Sequence, residues 1–284
     1  MSVVLIAGAS GLFGSRVAQA FANAGWTVRT YLRGTDMTQA AQGADVIVNG
    51  LNPPMYHDWA RLIPRITTQV IGAARASGAT ILVPGNVYPF GNQPGPWGPQ
   101  TAHRPNTRKG VIRAEMEAAY RNSGVPVILL RGGDFLDQAK GTAMTMVSLK
   151  AAKKGKITLL GNADVPRAYA YLPDIARVAV LLAEKRAELP RYADLPFAGL
   201  TFSMQTLRDE MQRQSGIRFR FTRFPWWFIG LAAPFWELAR ELREMRYLYD
   251  LPHQIDPKPL QALLPGFVGT QFEQVVAGHL NALG

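Results

Sequence analysis

Two stretches of the chain carry residue types that can do chemistry. The first is GASGLFG at 8–14, where Gly8, Gly11 and Gly14 recur at every third position, directly after a short apolar run and before a helical pattern. In that setting Gly8 permits a tight turn, Gly11 lets the backbone approach a pyrophosphate, and Gly14 lets the helix lie close on the strand. Unpaired N–H groups and the positive dipole end of the helix then hold phosphate oxygens. Gly8, Ser10, Gly11, Leu12, Phe13 and Gly14 are therefore candidate dinucleotide contacts. The second stretch is RKGVIRAEME at 108–117. Lys109 and Arg113 are four apart on one helical face and should repel by a few tenths of a kcal/mol, while Arg113 and Glu117 attract by about as much. A solvated helix face is one account of such a run, and a cofactor or proton-transfer site is another.

The elements that must position these residues follow from hydrophobic periodicity. Apolar runs at 3–7, 27–32, 45–49, 80–84 and 125–130 alternate with helical patterns at 12–24, 58–77 and 106–122. Alternation of this kind predicts a parallel sheet covered by helices on both faces, because parallel strands need long crossovers and are buried on both sides. Gly25, Gly78 and Gly124 stand where helices should end. After Arg131 the rule weakens: a helix is predicted over 141–154, strands at KITLL and AYAYL, and a helix from Asp174 to Lys185. From about 190 onward the chain is richer in proline and aromatic residues and reads as a smaller α+β lobe. The expected fold is a doubly wound α/β Rossmann domain formed by 1–134 and 165–190, with 135–164 and 191–284 forming a second, smaller lobe. In such a sheet ligands bind at the carboxyl ends of the strands, so Tyr88, in the loop after the fourth strand, is a candidate proton donor as well as a packing residue.

Composition narrows the function classes. The chain has 284 residues, is 48% hydrophobic and has no cysteine, which excludes disulfides and thiolate chemistry. Its four histidines, His57, His103, His253 and His279, fall in no metal-ligand spacing, so no metal site is expected. The net charge of +11 suits an anionic ligand, but no basic run of five or more occurs, and a phosphate-bearing small molecule is expected rather than nucleic acid. The first apolar run has no basic leader and is soon broken by glycines, so neither a signal peptide nor a membrane span is read there and a cytoplasmic location is expected.

The glycine turn, GADVIVNG, LVPGNVYPFG, RKGVIRAEME, LLRGGDF and YLPDIARV together resemble the extended, epimerase/dehydratase-like branch of the short-chain dehydrogenase/reductase superfamily, over the whole chain. The resemblance implies a nicotinamide cofactor in the first domain and a small organic substrate held by the C-terminal lobe. It also implies cofactor contacts at Gly50, Leu51 and Asn52, after Asn49, and at Pro84, Gly85 and Asn86. That family's catalytic tyrosine falls on Lys109, its lysine on Arg113 and its serine on Pro84, so all three positions are altered. Lys109, crowded by Arg113, could take the tyrosine's place in proton transfer, as a lysine does in the similar isoflavone-reductase-like group. Alternatively Lys109 and Arg113 only bind the cofactor, as in redox sensors of the NmrA-like group. At the end of the second strand, YLRG places Arg33 where an acid would bind ribose hydroxyls. A cation there suits the 2′-phosphate of NADP over NAD, with Asp36 close by as the competing acid.

The segment 224–249, FPWWFIGLAAPFWELARELREMRYLY, is too short and too interrupted by Pro225 and Pro234 to cross a bilayer. Packing of the small lobe, a hydrophobic substrate pocket, or contact with a membrane surface or partner protein each accounts for its aromatics. A homodimer is a further expectation.

Overall fold

The computed structural model describes residues 1–139 and 141–283. In chain order the elements are β1 (Val3–Ala7), α1 (Leu12–Asn23), β2 (Thr27–Tyr31), α2 (Met37–Ala40), β3 (Val46–Asn49), α3 (Trp59–Ser77), β4 (Thr80–Gly85), α4 (Arg108–Arg121), β5 (Val127–Arg131), β6 (Asp134–Leu136), β7 (Lys156–Leu159), β8 (Arg167–Tyr171), α5 (Leu172–Glu184), β9 (Tyr192–Pro196), β10 (Leu200–Phe202), α6 (Met204–Ser215), β11 (Arg220–Arg223), α7 (Trp226–Ala232), α8 (Glu237–Glu244), α9 (Lys258–Leu263) and α10 (Phe272–Leu283). They form two units. The first comprises Met1–Gly91, Pro99–Arg131 and Ile175–Pro196, and the second Asn92–Gly98, Gly132–Asp174 and Phe197–Gly284.

The first unit is built on a parallel sheet in the order β2-β1-β3-β4-β5-β9. The doubly wound α/β fold read from the sequence is therefore the fold observed. Strands β3 and β5 are buried along their whole length, and β2, at the sheet edge, is largely uncovered. Helix α1 buries Phe13, Val17 and Phe21, four residues apart on one stripe. Gly25, Gly78 and Gly124 adopt φ of +79°, +76° and +75°, which glycine enters without a Cβ penalty and which stops each helix before its next strand. Ala7 pairs with Tyr31 on one side and Asn49 on the other, so the three carboxyl ends are level. Between β1 and β3 the winding reverses, and that is where open α/β sheets form a ligand crevice.

The second unit has one sheet, β10-β8-β6, antiparallel between β10 and β8 and parallel between β8 and β6, and a second, parallel pair β11-β7. Helices α6 and α10 close over a core that includes Met144, Phe202, Leu207, Met211, Val275 and Val276. Gly133 allows β6 to run against β8, since a Cβ there would lie 2.1 Å from the Ala168 carbonyl oxygen.

Two expectations need correction. The helix predicted over 141–154 is instead a π-helical turn at Met144–Ser148 and a 3₁₀ turn at Ala152–Lys154. The Thr142 hydroxyl accepts the Thr145 N–H, and such side-chain bonding competes with a regular helix start. The domain boundary also moves. β8, expected in the dinucleotide domain, pairs with β6 and β10 in the second unit, while β9, expected in the lobe, completes the large sheet beside β5. Strand partners are chosen by pairing across long sequence separations, which periodicity does not encode. No helix among the described residues is long and apolar enough to cross a membrane.

Candidate functional site

The glycine turn sits at the crevice end of β1. Gly8 has φ +88°, and a Cβ on it would lie 2.7 Å from the carbonyl carbon of Gly50, the residue that follows β3. A Cβ on Gly14 would lie 2.1 Å from the Gly8 carbonyl oxygen, and one on Gly50 would lie 3.1 Å from that of Ala7. Gly8, Gly14 and Gly50 thus allow three backbone segments to meet with no side chain between them. Gly11 N donates to Gly8 O at 3.0 Å to close the turn, and Gly11 precedes α1 with no side-chain cap and no acid in the first helical turn. The amino end of α1, with its positive dipole end, faces this turn, and Ser10 is exposed beside it.

At the carboxyl end of β2, Tyr31 anchors the turn by donating its hydroxyl to Thr35 O at 2.9 Å. Arg33 in that turn is exposed and, among the described residues, makes no hydrogen bond or ion pair. Asp36, the competing acid, is the N-cap of α2, its carboxylate accepting from Thr38 N at 2.8 Å and Gln39 N at 3.4 Å. The cation is free and the anion is engaged.

Helix α4 brings Lys109 and Arg113 onto two aromatic rings that sequence reasoning missed. Lys109 Nζ lies 5.1 Å from the centroid of Tyr56, and the Arg113 guanidinium 4.6 Å from that of Trp59. The rings themselves meet edge to face at 5.2 Å. A cation facing a ring is attracted by its quadrupole, so the mutual repulsion of the two cations is offset in place. Arg113 also donates to Asn52 Oδ1 at 3.0 Å, tying α4 to the loop after β3, and burial lowers its pKa. Lys109 is only 1% exposed. Tyr56 stands at φ +61°, between Met55 at +52° and Asp58 at +46°, a strained conformation for residues other than glycine. Because neither Met nor Tyr signals such a conformation, nothing in the sequence marked this loop.

Tyr88 begins a 3₁₀ turn, Tyr88–Phe90, is half-buried and packs on the sheet core. Gly110 lets α4 approach it: a Cβ there would be 2.8 Å from the Tyr88 carbonyl oxygen. Pro84 and Gly85 pair with Leu130 and Arg131 across β4 and β5, and Asn86 Oδ1 accepts the Tyr88 N–H at 3.1 Å. Leu51 N donates to Asn49 Oδ1 at 3.2 Å, while Asn49 Nδ2 donates to the hydroxyl of buried Tyr120 at 2.9 Å. Burial pushes the Tyr120 pKa up to about 12, against the pull of Asn49.

Glu117 does not pair with Arg113 as expected. It accepts two bonds from Arg131, at 3.0 and 2.7 Å, and Arg131 also grips Asp194 at 3.2 and 2.7 Å and the Asn86 carbonyl at 2.6 Å. Burial alone would lower the Arg131 pKa, yet the two carboxylates raise it. His103 Nε2 lies 3.4 Å from Glu117, and burial outweighs that carboxylate to lower the imidazole pKa. The second unit has an apolar cavity of about 170 Å³, walled in part by Tyr171, Phe197, Leu260, Gln261, Phe267 and Thr270. Asp174, in the first turn of α5 as expected, accepts from Thr270 N at 2.6 Å and Thr270 Oγ1 at 2.9 Å.

No family model and no curated protein sequence matches the chain. Solved structures do. A GalE-like L-threonine dehydrogenase from Cupriavidus necator superposes with a TM-score of 0.77 at 19% identity, covering 100% of both chains. MoeE5 in complex with UDP-glucose and NAD gives 0.76 at 14%, over 99% of this chain and 98% of that one. The UDP-N-acetylglucosamine 4-epimerase from Bacillus cereus gives 0.74 at 14%, over 100% of both. The chain has the fold of these proteins along its full length.

Proposed function

We propose that the chain is a short-chain dehydrogenase/reductase of the extended kind that binds NADP and acts as an oxidoreductase or epimerase on a small carbonyl or sugar-derived substrate. The observation that carries the proposal is the junction of Gly8, Gly14 and Gly50 at the winding reversal, beside a helix start with no side-chain cap and no acid, because it leaves room and a positive dipole end for a pyrophosphate. The residues fit the cofactor on that ground. When bound, the nicotinamide supplies reversible hydride transfer at carbon. Gly11 and the first turn of α1 hold the pyrophosphate, and Arg33 pairs with the 2′-phosphate. MoeE5 was solved with NAD, so the preference for NADP rests on Arg33 and on the engagement of Asp36 as a helix cap. Lys109, at the position of the family's tyrosine, holds and moves the proton, and Arg113 fixes Asn52 and the loop after β3. Tyr88 is the reserve proton donor.

A second reading has an observation of its own. Lys109 is buried on Tyr56, which suits a residue that shapes a cofactor site without exchanging protons. On that reading the chain binds NADP as a sensor or assembly factor. Two measurements test the proposals. Calorimetry should show dinucleotide binding that Gly11→Val abolishes, with the melting temperature of the empty protein little changed; no binding by the unaltered protein removes both readings. NADPH oxidation over a panel of aldehydes, ketones, enones and nucleotide sugars then separates them, since a silent panel leaves only the sensor.

A further inference from the structure

The segment 224–249 divides into an anchored side and an uncovered one. Trp226 donates its indole N–H to Leu160 O at 2.7 Å and packs on Phe224 at 4.8 Å, while Ile229, Ala233 and Ala239 are buried beneath α7 and α8. On the outer side, Trp227 is 71%, Leu231 69% and Phe235 93% exposed, joined by Phe228 and Trp236. Isolated apolar residues on a surface need no explanation, but five large ones within ten positions form a patch of the kind that marks an interaction site. Around it cations outnumber anions, although Asp250 lines the same groove, its carboxylate accepting the Asn162 N–H at 2.8 Å. Arg223, Arg240, Arg243 and Arg246 are exposed, whereas Glu237 and Glu244 are half-buried and Glu241 is buried. Arg223 and Arg243 have no ion-pair partner among the described residues, and they line a groove beside Trp227 and Leu231.

We propose that this face docks on the surface of a membrane containing anionic lipids. The exposed tryptophans and aliphatic side chains would enter the headgroup boundary, where indole rings are favoured, and the surrounding guanidinium groups would meet lipid phosphates. Charge complementarity selects this occupant: the bare cations on the rim and the net charge of +11 match a negative lipid surface. Helix α7 has seven residues and cannot span, so the contact is interfacial. The inference is independent of the reaction proposed above.

Sedimentation of the full chain with vesicles tests it. The protein should pellet with phosphatidylcholine vesicles carrying about 30 mol % phosphatidylglycerol, bind pure phosphatidylcholine at least about tenfold less, and release as salt rises. Tryptophan emission should shift to the blue on binding. Trp227→Glu with Leu231→Glu should abolish pelleting, and Arg223→Glu with Arg243→Glu should remove the preference for anionic vesicles, each with an unchanged circular dichroism spectrum. Absence of binding, or binding indifferent to both pairs of substitutions, overturns the proposal. So does a concentration-dependent dimer in ultracentrifugation that Trp227→Glu dissolves, which would give the patch to a second copy of the chain.

Discussion

Arg33 and Asp36 stand three residues apart at the end of β2, and their different engagement decides what each can do. With Asp36 capping α2, removal of the Arg33 charge in Arg33→Ala should weaken NADP by about 1.5–3 kcal/mol and leave NAD nearly unchanged. Calorimetry with both nucleotides checks this, and equal losses would show that Arg33 does not meet the 2′-phosphate. Lys109 poses a sharper choice. If it carries the proton, Lys109→Met should remove turnover by roughly 10²–10⁴ while NADP affinity stays within about tenfold. If it only shapes the site, the same substitution weakens NADP by about a kcal/mol or more, and turnover that survives transfers the role to Tyr88. The sequence was enough to set the two cations on one face of α4. It could not supply the rings beneath them, because Trp59 opens α3 and Tyr56 lies in the loop before it, far earlier in the chain, where neither Met55 nor Tyr56 announces a left-handed backbone.

Among the elements, Arg131 joins more of the first unit than any cation the sequence analysis singled out. At the end of β5 it reaches α4 through Glu117, β9 through Asp194 and the end of β4 through the Asn86 carbonyl. Removing its charge leaves two carboxylates facing each other in a dry interior, so Arg131→Met should lower unfolding stability by about 3–5 kcal/mol, read as a lower urea midpoint. A drop under about 1 kcal/mol would mean that water already screens the network. The elements themselves were largely legible: apolar runs and punctuating glycines located β1 to β5, α1, α3 and α4 because burial on both sheet faces leaves a strong periodic trace. The pairing of Arg131 with Asp194, 63 residues on, left no such trace, and neither did the exchange of β8 for β9. The predicted helix over 141–154 failed for a local reason, the hydroxyl of Thr142 taking a backbone N–H.

At the scale of the molecule, three of the four histidines share a direction. Burial lowers the pKa of His103, His253 and His279 below 6.5, and buried His279 Nε2 has no hydrogen-bond partner among the described residues. The unfolded chain therefore takes up protons near pH 6.5 that the folded chain resists, so stability present at neutral pH is lost as the pH falls through that value. The melting temperature should be lower at about pH 5.5 than at about pH 7.5, and a flat profile would refute the burial of neutral imidazoles. The junction of Gly8, Gly14 and Gly50 has a consequence of another kind. Gly8 and Gly14 are closed to a side chain by the backbone of Gly50 and of Gly8, and Gly50 is crowded by that of Ala7, so drift at any one is opposed while the rest stand. The three behave as a single inherited character spread over 43 positions, 8 to 50. Distant kin whose overall likeness has decayed to the level of chance should still carry all three, and a search keyed to that spaced triplet would find them where whole-chain alignment does not.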